Sequence, residues 1–429
     1  MLFSCAVCVV AASGLAWATP QAGQTGHRSG FKLYSGALAA GVDNGIITQE
    51  GTVIEDNVLA FVPMAIAYRS QSPRSDLQFA YEPEFDIFET HTELNAWNQA
   101  AAVRYSLEAT RDVSLRTGGS FLYTHDRDRR SSGVALSPYG LYVEGNAYFS
   151  VDYRLKRETS VSVGANSRLT NTAVLDSTSA SGSIDTLTSR FTARLSRSFG
   201  STHQVSIGYV HLVSTLLNPD DLAQGGNVAD RRGQGVLNFG YTLSLSSGLR
   251  LAASGGAIRS PQDVGSDQYT YSMSGRVDKI WSSVTVGGGY SRSLAGLFQL
   301  DAADPADQIR DPLLSRNVAE RVDFTLVGRF GRRLRIDHQI GLSRTLLQNS
   351  DERLEALYAG VYAGFVVADR LVPFVTFSYW DQNATEFGRP VSRTRVMAGL
   401  RFYWDSPSII PASREHESVR SILPVRRVQ

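Results

Sequence analysis

The feature that most limits what this chain can become is an alternation with a period of two residues. In Val396–Trp404, VMAGLRFYW, the residues Val396, Ala398, Leu400, Phe402 and Trp404 share one side, and Met397, Gly399, Arg401 and Tyr403 the other. Gly235–Leu245 sets Leu237, Phe239, Tyr241, Leu243 and Leu245 against Asn238, Gly240, Thr242 and Ser244. Tyr142–Leu155 sets Val143, Ala147, Phe149, Val151, Tyr153 and Leu155 against Glu144, Asn146, Ser150, Asp152 and Arg154. Successive side chains of a strand point to opposite faces, so this is a strand signal, and helical spacing fits none of these runs. In a soluble antiparallel sheet the apolar face is the core. In a membrane barrel it faces lipid, and the polar face lines a water-filled lumen.

The links between strands favour the barrel. Short polar turns occur at SPRS near Ser72, KRET near Lys156, GSTH near Gly200, SSG near Ser246 and GRR near Gly331. They alternate with longer links at Arg127–Ser137, Leu175–Ile184, Asn218–Gly233 and Gln299–Asn317. Brief periplasmic turns alternating with longer outer loops are the outer-membrane arrangement. The runs predict an all-β, transmembrane, antiparallel up-and-down β-barrel of about eighteen strands, with sixteen as the alternative count. The strands are expected at 31–45, 58–70, 76–89, 96–110, 113–126, 138–156, 160–173, 186–199, 204–217, 234–246, 249–260, 267–281, 283–296, 318–331, 334–347, 354–368, 370–382 and 391–404. An even count puts both termini on the periplasmic side.

A secreted β-sandwich or propeller is the soluble alternative. No blade motif recurs at a propeller period of about 40 residues. Trp281, Tyr379, Trp380, Tyr403 and Trp404 lie near strand ends, where interfacial aromatic girdles are expected. No stretch after the N-terminal run reaches the roughly 18 apolar residues of a spanning helix. The domain reading is therefore residues 1–18 as a signal peptide, 19–30 as a periplasmic segment, 31–404 as the barrel and 405–429 as a polar periplasmic tail. The signal rests on an apolar run ending in Ala16-Trp17-Ala18. It lacks a positive leading segment, and a short N-terminal anchor is the competing reading. Both cysteines, Cys5 and Cys8, fall inside it, so cleavage would leave no disulfide or cysteine metal site.

Net charge is +1, which argues for no nucleic-acid partner. The basic residues are nearly all Arg; Lys32, Lys156 and Lys279 are the exceptions. Arg forms planar, two-pronged pairs and stays charged when partly desolvated, which suits a wall of paired charges. By alternation the lumen candidates are Glu82, Glu84 and Asp86 in the third strand, Arg168 in the seventh, and Arg190 and Arg194 in the eighth. Arg276 and Asp278 follow in the twelfth, Asp323 and Arg329 in the fourteenth, Arg335 and Asp337 in the fifteenth, and Arg393, Arg395 and Arg401 in the last. Two readings compete. Separate acidic and basic walls would set up a transverse field favouring charged solutes, or the charges pair across neighbouring strands and keep the wall wet and rigid.

The segment Phe79–Asp128 carries Y-x-P-E-F, L-N-x-W-N, Y-x-L, T-R-x and S-L-R in order. In this it resembles the bacterial outer-membrane β-barrel porins found with exopolysaccharide and capsule genes. The resemblance implies passage of polysaccharide or other solutes and no catalytic residues; outside this segment the likeness is one of pattern.

Other constellations point to simpler roles. Asp301, Asp304 and Asp307 lack the Gly and terminal Glu of an EF-hand and read as a solvated loop. Gly287–Gly289 opens no helix and reads as relief for a crowded strand rather than a phosphate loop. An enzyme would need a converging His, Asp and nucleophile. Only Tyr123-Thr124-His125-Asp126 hints at one, and neighbouring residues of a strand face opposite ways. No metal or cofactor is expected. The expected function is a water-filled pore for passive passage or export of solutes, exopolysaccharide among them, with anions favoured. A non-conducting anchor for surface polymer, or a docking component of an envelope complex, is the alternative. Expected partners are outer-membrane lipid and lipopolysaccharide, polysaccharide or periplasmic export components, and the barrel-insertion machinery. The aromatic end of the last strand resembles the signal that machinery reads, although a polar tail follows it.

Overall fold

A computed structural model describes residues 28–48, 52–126, 139–173, 183–216, 231–260, 268–294, 318–331, 333–346, 353–368, 370–383 and 390–403. The expected signal peptide, the tail, Trp404 and the longest links lie outside the described residues. Eighteen strands form one sheet in which each pairs antiparallel with its sequence neighbours. They are β1 (Arg28–Ile47), β2 (Val53–Gln71), β3 (Ser75–Phe88), β4 (Ala96–Glu108), β5 (Val113–Thr124) and β6 (Tyr142–Lys156). Then come β7 (Thr159–Ala173), β8 (Ser183–Phe199), β9 (His203–Leu216), β10 (Arg231–Ser244), β11 (Leu249–Ser260) and β12 (Gln268–Ile280). The last six are β13 (Val284–Leu294), β14 (Val318–Phe330), β15 (Leu334–Leu346), β16 (Arg353–Phe365), β17 (Leu371–Gln382) and β18 (Val391–Tyr403). All eighteen expected strands are present. β1 starts at Arg28, inside the segment expected to precede the barrel.

The sheet closes because β1 pairs with both β2 and β18, in the latter case from Ser35↔Tyr403 to Asn44↔Thr394. Closure removes the free edges that an open sheet would present to lipid. It also places both ends of the described chain at the end of the barrel carrying the short turns, such as the one between Lys156 and Thr159. No described helix is long and apolar enough to cross a membrane.

The apolar faces point outward. Phe239, Leu342, Val322, Phe191 and Leu400 are among many large apolar side chains exposed on the exterior. An exposed apolar band of this extent around a closed barrel is stable in contact with hydrocarbon, not with water. Trp281 sits in the outer aromatic positions as expected, exposed at the short-turn end. Trp380 and Tyr403 do not. Both are buried, and both share the lumen-facing parity of Arg393 and Arg401. Alternation outranks nearness to a strand end.

Irregularities fall where the sequence requires them. The β2–β3 ladder breaks between Phe61 and Ile66 on one strand and Phe85 and Tyr81 on the other. Pro63 and Pro83 lie in that gap, and neither has an N–H to give to a ladder. At the closing seam a side chain on Gly41 would run into the Val396 carbonyl, and one on Gly399 into Leu38 and Ala39. We predict that Gly41→Val reduces the yield of folded barrel, measured as the fraction resisting unfolding in detergent below its melting point. A neighbouring outward change, Val42→Leu, should leave that fraction unchanged.

Candidate functional site

The lumen face is the candidate site, and it differs between the two ends of the barrel. Toward the long links the inward side chains are buried: Asp43, Asp86, Asn98, Glu144, Arg168 and Arg393 among them. Toward the short turns several inward arginines are exposed: Arg69 on β2, Arg116 on β5, Arg194 on β8, Arg250 on β11 and Arg329 on β14. Arg154 on β6 is inward and exposed there too, and of these arginines Arg69 pairs with Asp76 and Arg116 with Asp152.

The buried end is organised by two arginines of β18. Arg393 donates from Nε and Nη2 to the carboxylate of Asp43 on β1, at 2.9 and 2.7 Å. Its Nη1 and Nη2 also donate to Asp126, just beyond β5, at 3.0 and 2.6 Å. Arg395 reaches the same two carboxylates at 3.2 and 3.3 Å, and Asp86 on β3 at 3.6 Å. Asp86 in turn accepts from Asn98 at 2.7 Å, whose side-chain oxygen accepts from Thr124 and from the His125 backbone at 3.0 Å each. The face of Trp380 lies 5.6 Å from the Arg393 guanidinium carbon. One network thus joins β18, β1, β3, β4 and the segment after β5, bridging the interior rather than following the wall.

Tyr139, just ahead of β6, packs beside His125. The Tyr139 backbone N–H donates to the Ile47 carbonyl at 2.6 Å, and its hydroxyl to the Leu94 carbonyl at 2.8 Å. Its ring packs edge-on to Phe88 and stacks near His125. Ala39, Ile46, Val58, Ala60, Phe88, Tyr362, Phe374 and Met397 complete an apolar cluster inside the barrel. Burial and the nearby Asp86 and Asp126 carboxylates push the Tyr139 hydroxyl well above its ordinary range, so it remains a neutral donor. Burial lowers the His125 pKa, against a smaller upward pull from Asp86.

The remaining sequence candidates pair mostly with neighbours. Arg168 donates to Glu144 at 2.7 Å and to the Tyr142 hydroxyl at 3.0 Å. Arg276 holds Asp278 at 2.9 Å and reaches Asp323 at 3.0 Å. It crosses Gly287 and Gly289, where a Cβ on Gly287 would stand 2.7 Å from its Nη2. These glycines make room for the guanidinium, which gives a reason for the crowded-strand reading. Arg335 pairs with Asp337 at 2.8 Å, Arg194 donates to Ser206 at 3.1 Å, and Arg401 lies over the Phe374 ring. Glu82 and Glu84 face inward on β3, Glu84 buried, and Arg190 faces inward on β8. Arg168–Glu144 and Arg276–Asp323 thus pair between strands of the same part of the wall, whereas Asp86 and Arg395 meet across the interior.

Alternation had put Glu144 on the polar face of its strand, but Asp43, Asn98, Asp126, Arg69, Arg116 and Arg250 were not among the candidates. Inward parity was readable for Asp43, Asn98, Arg116 and Arg250; the irregularity at Pro63 reverses the phase of β2 before Arg69, and Asp126 lies past the end of β5. The sequence neighbours His125 and Asp126 form no relay. Asp126 is taken up by Arg393 and Arg395, and buried His125 Nδ1 has no hydrogen-bond partner among the described residues. Among the described residues no group of three or more His, Cys, Asp or Glu could hold a metal ion.

No protein-family model and no curated protein sequence matches the chain. Several solved outer-membrane porins share its architecture. OpdF (OccK2) of Pseudomonas aeruginosa is 10% identical, with a TM-score of 0.46 over 87% of this chain and 98% of its own. A BenF-like porin of Pseudomonas fluorescens Pf-5 is 9% identical, with a TM-score of 0.45 over 87% and 98%. OccAB4 of Acinetobacter baumannii is 9% identical, with a TM-score of 0.44 over 90% and 100%. At these values the likeness carries nothing about cargo, and the barrel assignment stands on the closed strand pairing itself.

Two predictions follow from the buried network. Arg393→Gln leaves two buried carboxylates short of their counter-charge and should lower unfolding stability by about 3–5 kcal/mol. Because the groups act together, Arg393→Gln with Asp126→Asn should cost less than the sum of the single changes, read from denaturant midpoints in a double-mutant cycle. The second concerns pH. His125 is held below its ordinary 6.5, so the unfolded chain takes up the proton first as pH falls. Its contribution is complete above 6.5 and is lost as pH drops through the lowered folded value. Melting temperature should therefore fall between pH 7.5 and 5, and His125→Gln should make that fall shallower.

Proposed function

We propose that this chain is an outer-membrane channel through which small solutes, anions preferentially, pass by diffusion. The observation that carries the reading is the set of exposed inward arginines toward the short turns, on Arg69, Arg116, Arg194, Arg250 and Arg329, inside a barrel of eighteen strands. Barrels of about 16–18 strands enclose an aqueous channel unless chain folds into them. A low-dielectric wall around the channel raises the local concentration of counter-ions near fixed charges. In this reading the short-turn end, and with it both chain ends, faces the periplasm, as short turns do in bacterial barrels. Residues 1–18 would be removed on export, and the insertion machinery would read β18. The chain needs no energy source and performs no chemistry.

Exopolysaccharide is the finer reading of cargo. It is supported by the Phe79–Asp128 resemblance, and an acidic polymer would suit an arginine-lined mouth. A second reading, a non-conducting barrel that anchors polymer or docks envelope components, is favoured by the Arg393–Asp126 network, which bridges the interior at the other end.

Planar-bilayer recording separates these. Under a salt gradient the channel reading expects measurable conductance with an anion-selective reversal potential. Replacing Arg194, Arg250 and Arg329 together by Gln should move the reversal potential toward zero while conductance persists. Cation selectivity in the unaltered protein would refute the anion preference. A folded barrel that never conducts, yet binds acidic polysaccharide, would establish the anchor instead.

A further inference from the structure

One group of charges lies on the wrong face for a pore. Arg292 on β13 is directly opposite Glu320 on β14, Glu320 opposite Arg344 on β15, and Arg344 opposite Glu355 on β16. All four share the outward parity of exposed Met273, Val322 and Leu342. The result is a row of alternating charge across four adjacent strands, on the outside of the barrel. It lies two residues from each strand end, at the long-link end. The next row inward along the same strands is Tyr290, Val322, Leu342 and Leu357, which is apolar or aromatic. The charged row therefore marks the edge of the hydrocarbon, where an outward Arg costs little compared with mid-membrane. Near the same end, Trp97, Val143 and Val213 face outward on other strands, as do the charged Glu55 and Arg259, while the four charges of this row stand in register on adjacent strands.

The pairs leave donors available. Arg292 contacts Glu320 and lies over the Tyr271 ring, 4.5 Å from its centroid. Arg344 approaches Glu355 through Nε at 3.4 Å, longer than a hydrogen bond, with its side chain 37% exposed. Guanidinium groups bind phosphate oxygens in two-pronged fashion, and cations at a membrane boundary select anionic head groups. In the outer-membrane reading above, on which this step rests, the long-link end lies in the outer leaflet. We infer that Arg292 and Arg344 form an exterior binding site for the phosphates of lipopolysaccharide, with Glu320 and Glu355 as intramolecular competitors that hold the guanidinium groups in place in its absence.

The test uses the full-length protein in phosphatidylethanolamine nanodiscs containing either bis-phosphorylated or dephosphorylated lipid A. Native mass spectrometry counts bound lipid A, and melting temperature is measured in parallel. The unaltered protein should prefer the phosphorylated form by roughly tenfold. Arg292→Gln with Arg344→Gln should abolish the preference, and Glu320→Gln should strengthen it by freeing Arg292. A row serving only to brace neighbouring strands would lower the melting temperature in all variants and leave lipid preference unmoved, which would overturn the proposal. So would equal binding of the two lipids by the unaltered protein, or a second copy of the chain found on this face instead of lipid. Conductance is recorded on the same samples. Lost conductance with retained phosphate preference would count against the pore, and the reverse would count against this site alone.

Discussion

Everything in this molecule follows from the need to pair backbone groups where no water can reach them. A strand in hydrocarbon must give each N–H and C=O a partner, and a sheet satisfies that at its edges only by closing. Here closure is the β1–β18 seam, where glycines let the two backbones meet at the Val396 carbonyl and at Leu38. Once the sheet is closed, solvent is divided into an outside that is apolar and an inside that is wet. The ordinary logic of a soluble core is then inverted. The same seam is fastened a second time by side chains, since Asp43 on β1 stands opposite Arg395 and bonds Arg393 on β18. Backbone pairing and charge pairing thus converge on the one junction that local sequence cannot form by a hairpin.

The scarcity of lysine has its reason in the interior. A guanidinium can grip two carboxylates at once, as Arg393 does with Asp43 and Asp126, and a compact ammonium could not hold that geometry. Buried ions need such multiple bonds, because desolvation otherwise outweighs the attraction between them. Where the wall carries a large guanidinium, a neighbour gives way: Gly287 and Gly289 open the space that Arg276 crosses to reach Asp323. At these two positions charge and glycine serve one requirement.

Most of the architecture was legible because period-two alternation is carried by every strand and is read locally. The lumen residues followed from the same parity. Trp380 and Tyr403 were misplaced when nearness to a strand end was weighed above parity; the pattern in VMAGLRFYW already put Tyr403 with Arg401. Pairing partners one strand away, such as Glu144 for Arg168, needed only the register. Asp126 is different. It meets Arg393 across the interior, with four strands of wall between β5 and β18, and no local rule carries that information. The outward row at Arg292 was missed for the opposite reason: a charge in the apolar phase of a strand reads as noise until four of them align.

Arginine in this barrel therefore occupies three electrostatic settings, and its pairing follows the setting. Deep in the interior Arg393 is 3% exposed and fully engaged by two carboxylates. On the exterior boundary Arg344 stands 3.4 Å from Glu355, where headgroups and water solvate what the protein does not. At the exposed end of the lumen, Arg69 pairs with Asp76 while half of its side chain remains in contact with solvent. Exposed pairs of that kind contribute little to stability, about 0–1 kcal/mol, since water and salt screen them. A charge that stabilises so little and remains open to solvent is available to dissolved ions, and in this barrel those charges lie at the short-turn end of the lumen. The end where charge is spent on holding the structure and the end where it remains available are thus different ends of the same barrel wall.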